Sequence, residues 1–235
     1  MTARQDIENS GPVLQASGIE KSYDAPTGRL QILRGVDLEV ERGTVLAILG
    51  ASGAGKSTLL NVLGTLDRPD HGSLRIGGAD VGAMREPELA RLRARSLGFV
   101  FQFHHLLPEF TAVENVMMPL RIGGVEAAEA RRRARAALLD VGLEERWEHM
   151  PAQLSGGEAQ RVAVARALAA APELVLADEP SGNLDPPSAA ALHELLHGLA
   201  RGRRQTFVVV THSDRLAAVA DRVLVLEKGR LVPRS

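Results

Sequence analysis

The 235-residue chain contains no cysteine. That absence excludes a disulfide framework, thiol catalysis and cysteine-ligated metal, and it is compatible with the cytosol. No apolar run approaches the roughly 20 residues that a membrane-spanning helix needs, so membrane insertion is not expected. The first residues, Met1 to Ser10, are polar and carry Arg4, Asp6 and Glu8, unlike a secretory signal. Residues 1–12 read as a loose leader. There is no excess of one charge: 28 Lys+Arg against 29 Asp+Glu leave a formal net charge of -1. A protein that holds nucleic acid through bulk charge should be basic, so no nucleic-acid partner is expected. Lysine is scarce, with only Lys21, Lys56 and Lys228, and Tyr23 is the single tyrosine.

What is there is an ordinary globular composition. Hydrophobic residues make up 45% and charged residues 24%, enough apolar surface for one sizeable core or a core with an inserted subdomain. From Val13 to Glu41 the pattern is short and strand-like, with turn residues over Asp24 to Gly28. Thr44 to Leu49, Leu174 to Ala177, Phe207 to Val210 and Val223 to Leu226 are continuous apolar runs. Such runs fit strands covered on both faces. Helical stretches separate the later runs, over Pro187 to Ala200 and Ser213 to Ala220. This alternation predicts an α/β fold with a parallel sheet. Between Met84 and Glu158 helix-forming residues dominate, around one short apolar segment at Leu97 to Phe103, so the middle reads as a helical insertion. Arg131 to Arg133 reads as a solvated helix face.

Gly50, Ala51, Ser52, Gly53, Ala54, Gly55, Lys56 and Ser57 fit G-x-x-x-x-G-K-[ST] without a mismatch, between a buried strand and a helix that continues through Thr58. The glycines let the backbone wrap an anion. Successive N–H groups and the helix N-terminus then face phosphates. Lys56 supplies a full charge to the β and γ phosphates, roughly 5 kcal/mol at ~3 Å and an effective dielectric of ~20, before desolvation. Ser57 offers a hydroxyl to Mg²⁺.

Leu174 to Glu179 places two acids directly after an apolar strand, and ligands of open parallel sheets bind beyond the carboxyl ends of strands. Asp178 is positioned to hold Mg²⁺ through water, and Glu179, one residue further out, to act as general base. His212 ends the next strand at the same edge, where an imidazole can touch the γ-phosphate and orient the attacking water. Leu154-Ser-Gly-Gly-Glu158 precedes a helical run. Ser155 and Glu158 can form a capping box, and two glycines leave a bare N-terminus suited to anions.

With these motifs in order, the sequence resembles the ABC-type ATPases, the nucleotide-binding subunits of ABC transporters, from Val13 to Val232. The carriers are Tyr23, the phosphate loop, Gln102, Ser155 to Glu158, Ser181 to Asp185, Asp178-Glu179 and His212. The resemblance implies a P-loop NTPase (RecA-like) core with an antiparallel β subdomain, over residues 13–84 and 161–232, and an inserted α-helical subdomain over 85–160. It implies ATP and Mg²⁺ as ligands, Tyr23 against adenine, and Gln102 near Mg²⁺ and water as a further catalytic group. It also implies a second copy paired head to tail, with Ser155, Gly156, Gly157 and Glu158 of one chain facing the phosphate loop of the other. Ala159 and Pro187 depart from the family pattern without touching these roles.

Within that family, Phe101 to Pro119 is similar to the ATPase subunits of lipoprotein-releasing systems. This implies LolC/LolE-like integral membrane permease subunits, lipoprotein cargo handled by them, and a peripheral place on the cytoplasmic face of the bacterial inner membrane. Ser181 to Asp185 and Gly64 to Asp67 agree also with MacB-type exporters and FtsE, which stand as the alternatives. His104 and His105 have no third ligand close in sequence, so they are not read as a metal site. Phe103 to Phe110, apolar and next to Gln102, is expected to dock a membrane-subunit helix, with Leu106 and Leu107 in contact or, alternatively, in the subdomain core.

Overall fold

The computed structural model describes residues 11–26 and 28–234, so most of the expected leader lies outside the described residues. The chain begins with two long strands, β1 (Leu14–Ala25) and β2 (Gly28–Val40), paired antiparallel. They pair as far as Ala25 opposite Gly28, so the strands run through most of the expected turn. β4 (His71–Ile76) and β5 (Ala79–Asp80) extend this sheet in the order β2-β1-β4-β5. Neither was legible as a strand: only Leu74 and Ile76 of β4 are buried, too short an alternation to register.

The second sheet holds the core. Its strands are β3 (Val45–Leu49), β6 (Leu97–Val100), β7 (Leu174–Asp178), β8 (Thr206–Thr211), β9 (Arg222–Glu227) and β10 (Arg230–Pro233), in the order β10-β9-β3-β8-β7-β6. All neighbours pair parallel except β10, which closes one edge antiparallel to β9. The continuous apolar runs are explained by two-sided burial. Phe207 and Val209 of β8, with Val175 and Ala177 of β7, enter one apolar cluster, while Val208, Val210, Leu174 and Leu176 enter the cluster on the opposite face. Side chains alternate across a strand, so covering both faces demands apolar residues at every position.

Helices α1 (Lys56–Leu63), α2 (Glu86–Ser96), α3 (Ala112–Ile122), α4 (Ala127–Asp140), α5 (Gly156–Leu168), α6 (Pro186–Arg203) and α7 (Asp214–Ala218) surround it. One boundary differs from the expected helical insertion over 85–160. β6 lies within that span, yet it hydrogen-bonds in register with β7, Leu97 beside Leu174 through Val100 beside Ala177. Only four residues long, it gives little periodicity, and its place in the sheet is fixed by pairing across some 77 residues of chain. Within the expected helical stretch, α3 starts on a capping box, Thr111 with Glu114, and carries Pro119 in its last turn. Among the described residues no helix is long and apolar enough to cross a membrane.

Candidate functional site

The phosphate loop leaves β3 and enters α1, as its sequence requires. Gly55 is the N-cap of α1 at φ +98°, and a Cβ there would meet Ile32 Cγ2 at 2.7 Å. Both facts demand glycine. The buried Lys56 ammonium donates to the carbonyls of Gly50 at 2.7 Å and Ala51 at 3.2 Å. It also faces Glu179 Oε1 at 3.4 Å.

Strand ends bring the acids to this loop. Asp178 closes β7, and burial pushes its carboxyl above the ordinary range although the neighbouring Ser57 hydroxyl favours the ionised form. Glu179 follows in the left-handed region, φ +45°, with its N–H on Val210 O. Burial opposes its ionisation, but hydrogen bonds from His212 and Thr211 outweigh that and hold the carboxyl below its usual value. His212 Nδ1 donates to Glu179 Oε1 at 2.9 Å, and the His212 backbone N–H donates to Oε2 at 3.1 Å. The carboxylate is therefore gripped by two donors from one residue and by the lysine beyond.

These groups line one cleft of about 710 Å³, formed by Ser52, Gly53, Gly55, Lys56, Ser57, Thr58, Gln102, Asp178, Glu179 and His212, with Ile32 as a lining residue that motif reading did not find. A concavity of about 880 Å³ opens elsewhere, around Arg42, Glu173 and Arg204 at the opposite ends of the strands. Size favours the latter, but the phosphate loop and acid pair lie in the former. Gln102 Nε2 donates to Asn183 Oδ1 at 3.1 Å, and Asn183 Nδ2 returns a bond to Gln102 O at 3.2 Å. Asn183 is a second residue sequence reasoning assigned no role.

Gly50, Ala51 and Ala54 of the loop are not among the residues lining the cleft, and neither are Tyr23 and the start of α5. Tyr23 is partly exposed, and its hydroxyl donates to Asp67 Oδ2 at 2.8 Å. Ser155, Gly156, Gly157 and Glu158 open α5 away from the phosphate loop's cleft. There Glu158 Oε2 accepts from the Ser155 N–H and hydroxyl, both at 2.8 Å, and Oε1 accepts from Arg146 Nε at 2.9 Å. The backbone N–H of Ser155, the Arg146 guanidinium and the Ser155 hydroxyl hold the Glu158 carboxyl down at about 2.

Among the described residues no three His, Asp or Glu side chains gather as a metal cluster. The donor set still fits Mg²⁺ bound with a nucleotide. A serine hydroxyl, a half-buried carboxyl held above its ordinary pKa, and a glutamine amide are hard ligands that leave room for phosphate oxygens.

A phosphate loop, an acid pair and a histidine at the carboxyl edge of a parallel sheet define a P-loop nucleotide hydrolase. The sequence profile of the ABC transporter family matches residues 33–182, and the chain belongs to that family as an ATP-hydrolysing subunit. It is similar to the lipoprotein-releasing system ATP-binding protein LolD of Geobacter metallireducens, 51% identical over 220 residues that cover 94% of this chain and 98% of that one. It is 52% identical to LolD of Bordetella pertussis over 225 residues, covering 96% and 97%. In structure it is similar to a dimeric ATP-binding cassette in a post-hydrolysis state bound to ADP and Pi, with TM-score 0.84, 37% identity and coverage of 93% and 96%.

Proposed function

We propose that this chain is the ATPase of a lipoprotein-releasing transporter, and that Glu179 is its general base. The observation that carries the chemistry is the grip on that carboxylate: ionised, held by His212, and 3.4 Å from Lys56 at the phosphate loop. Water attacks the γ-phosphorus, its proton passes to Glu179, and the bond to the β-phosphate oxygen breaks, giving ADP and phosphate. The backbone N–H groups from Gly50 to Thr58 and the Lys56 ammonium bind the phosphates. A γ-phosphate competes with Glu179 for that ammonium, which frees the carboxylate to face water. His212 orients the carboxylate and reaches the γ-phosphate. Ser57, Asp178 and Gln102 would hold Mg²⁺, which supplies charge neutralisation at the phosphates. Tyr23 takes the adenine.

The exposed Ser155 and Gly156 support a head-to-tail pair in which this helix start completes the site of a second copy. The likeness to a dimeric cassette supports the same assembly. The cargo reading rests on the LolD relatives over nearly the full chain. For the partner, an apolar groove of about 430 Å³ supports docking of LolC/LolE-like permease subunits, which would hold the chain on the cytoplasmic face of the inner membrane. Phe99, Phe101, Leu107, Met118, Pro119 and Ile122 line it, and Ile122 is 76% exposed. The expected docking loop divides here. Leu107 is 39% exposed and lines the groove, while Leu106 at 8% belongs to the core. The buried Asn115 explains the division: its Oδ1 accepts from Leu107 N–H at 2.8 Å and its Nδ2 donates to Phe110 O at 2.9 Å, which pins the loop and turns successive residues to opposite sides.

The test is release of an acylated lipoprotein from vesicles holding the permease subunits and this chain. ATP should drive release with the native chain, and Glu179→Gln should bind ATP yet lose turnover by roughly 10²–10⁴-fold and release nothing. Release of lipoprotein at the native rate with that variant ends the reading.

A further inference from the structure

The turn after the acid pair is under unusual constraint. Glu179 is a residue with a Cβ in the left-handed region, a conformation that persists only where the surroundings over-determine it. Its backbone is tied on both sides, N–H to Val210 O and carbonyl from the Gly182 N–H, both at 2.9 Å. Two residues on, Ser181 directs its hydroxyl inward. Ser181 Oγ and His193 Nε2 lie 2.9 Å apart, at 9% and 4% exposure. His193 stands on α6, beside the buried Leu192 and a turn before the buried Leu196. Asp185 caps that helix by accepting from the Ser188 N–H at 3.3 Å, so the helix is fixed at the end nearest the turn.

We propose that His193 is a positioning residue for hydrolysis: by clamping Ser181 to α6, it keeps the turn that begins at Glu179 closed and the carboxylate against His212. This rests on the reading of Glu179 as the base. Burial, and the charge of Arg215, lower the His193 pKa, so the imidazole is neutral and offers one nitrogen to the serine. A buried histidine with a single side-chain partner could serve packing alone. The geometry argues for more, because the partner is neither in the helix nor in the core sheet but in the turn that the base itself opens. The same turn carries Asn183, which exchanges two hydrogen bonds with Gln102 of the cleft lining. Releasing Ser181 therefore loosens two groups of the site at once, without removing any contact to the phosphates.

The experiment measures ATPase kinetics and thermal melting of the full chain as wild type, H193L, H193Q, S181A, the S181A/H193L double variant and E179Q. Leucine fills the buried volume without a hydrogen bond, and glutamine restores a donor near the Nε2 position. H193L should lower kcat about tenfold or more while KM for ATP stays within about twofold, the pattern of a group acting after binding. H193Q should recover most of that loss. The double variant should cost no more than either single one, since both break one contact. An inactive E179Q beside an unaffected H193L overturns the inference alone. So does a fall of kcat and melting temperature together that H193Q fails to restore, or additivity in the double variant. Native turnover by E179Q removes the base reading, and this inference with it.

Discussion

The acid pair and the start of α5 are built in opposite ways. At the acid pair, Glu179 is half-buried and held by His212, Lys56, Thr211 and the Val210 carbonyl, so its geometry is set within one chain. At the start of α5, Ser155 and Gly156 are exposed, and the polar groups there satisfy one another: Ser155 and Glu158 bond reciprocally, with Arg146 behind. The first region is held by contacts from several elements of the chain. The second is exposed, and its polar groups are satisfied locally. A capping box keeps a bare helix start folded while nothing binds it, which is what a shared site needs of the partner's contribution.

The sharpest way to break this contrast is to damage each region in a different chain. Lys56→Ala should abolish ATPase activity in the first region. Ser155→Arg, which sets a bulky cation against the helix dipole, should also abolish it with the phosphate loop intact. Mixing the two inactive chains leaves one dimer site with both halves sound, so partial activity should return at equal ratios. No recovery at any ratio would mean that the site is built within one chain or that two sound sites are obligatory.

A smaller effect separates surface from core beside the apolar groove. Leu106→Ser should destabilise the chain by roughly 2–4 kcal/mol, the cost of removing a buried leucine. Leu107→Ser should stay within about 0.5 kcal/mol of native stability and keep soluble ATPase activity, yet lose co-purification with the permease subunits. Melting of both variants, read with pull-down, checks this; equal destabilisation would return Leu107 to the core.

The smallest effect concerns pH. Glu158 has its folded pKa lowered from 4.5 to about 2, so its contribution to stability is present above the unfolded value and is lost as pH falls from 4.5 towards 2. The melting temperatures of native chain and Glu158→Gln should differ most above pH 4.5 and converge below it. A constant difference across that window would mean the carboxylate's charge does not matter to the cap.

Which parts of this were legible follows from how local their causes are. The phosphate loop, the acid pair and the capping box each lie within a few residues, and their chemistry can be read from spacing. The apolar strands declared themselves because two-sided burial leaves no polar position. What escaped depends on pairing across long separations. β6 is a core strand only because β7 lies beside it, and Asn183 matters only because Gln102, 81 residues earlier, meets it. Ile32 enters the cleft from β2, in a stretch with no motif at all, and its mark is the steric demand it places on Gly55.

Phe101 lines the apolar groove, and Gln102, the next residue, lines the nucleotide cleft. Two cavities on different faces thus share one peptide bond, with Cα atoms about 3.8 Å apart. Between the two side chains stand only one planar peptide unit and the soft φ and ψ angles at its two Cα atoms, so the groove and the cleft are separated by a handful of torsions.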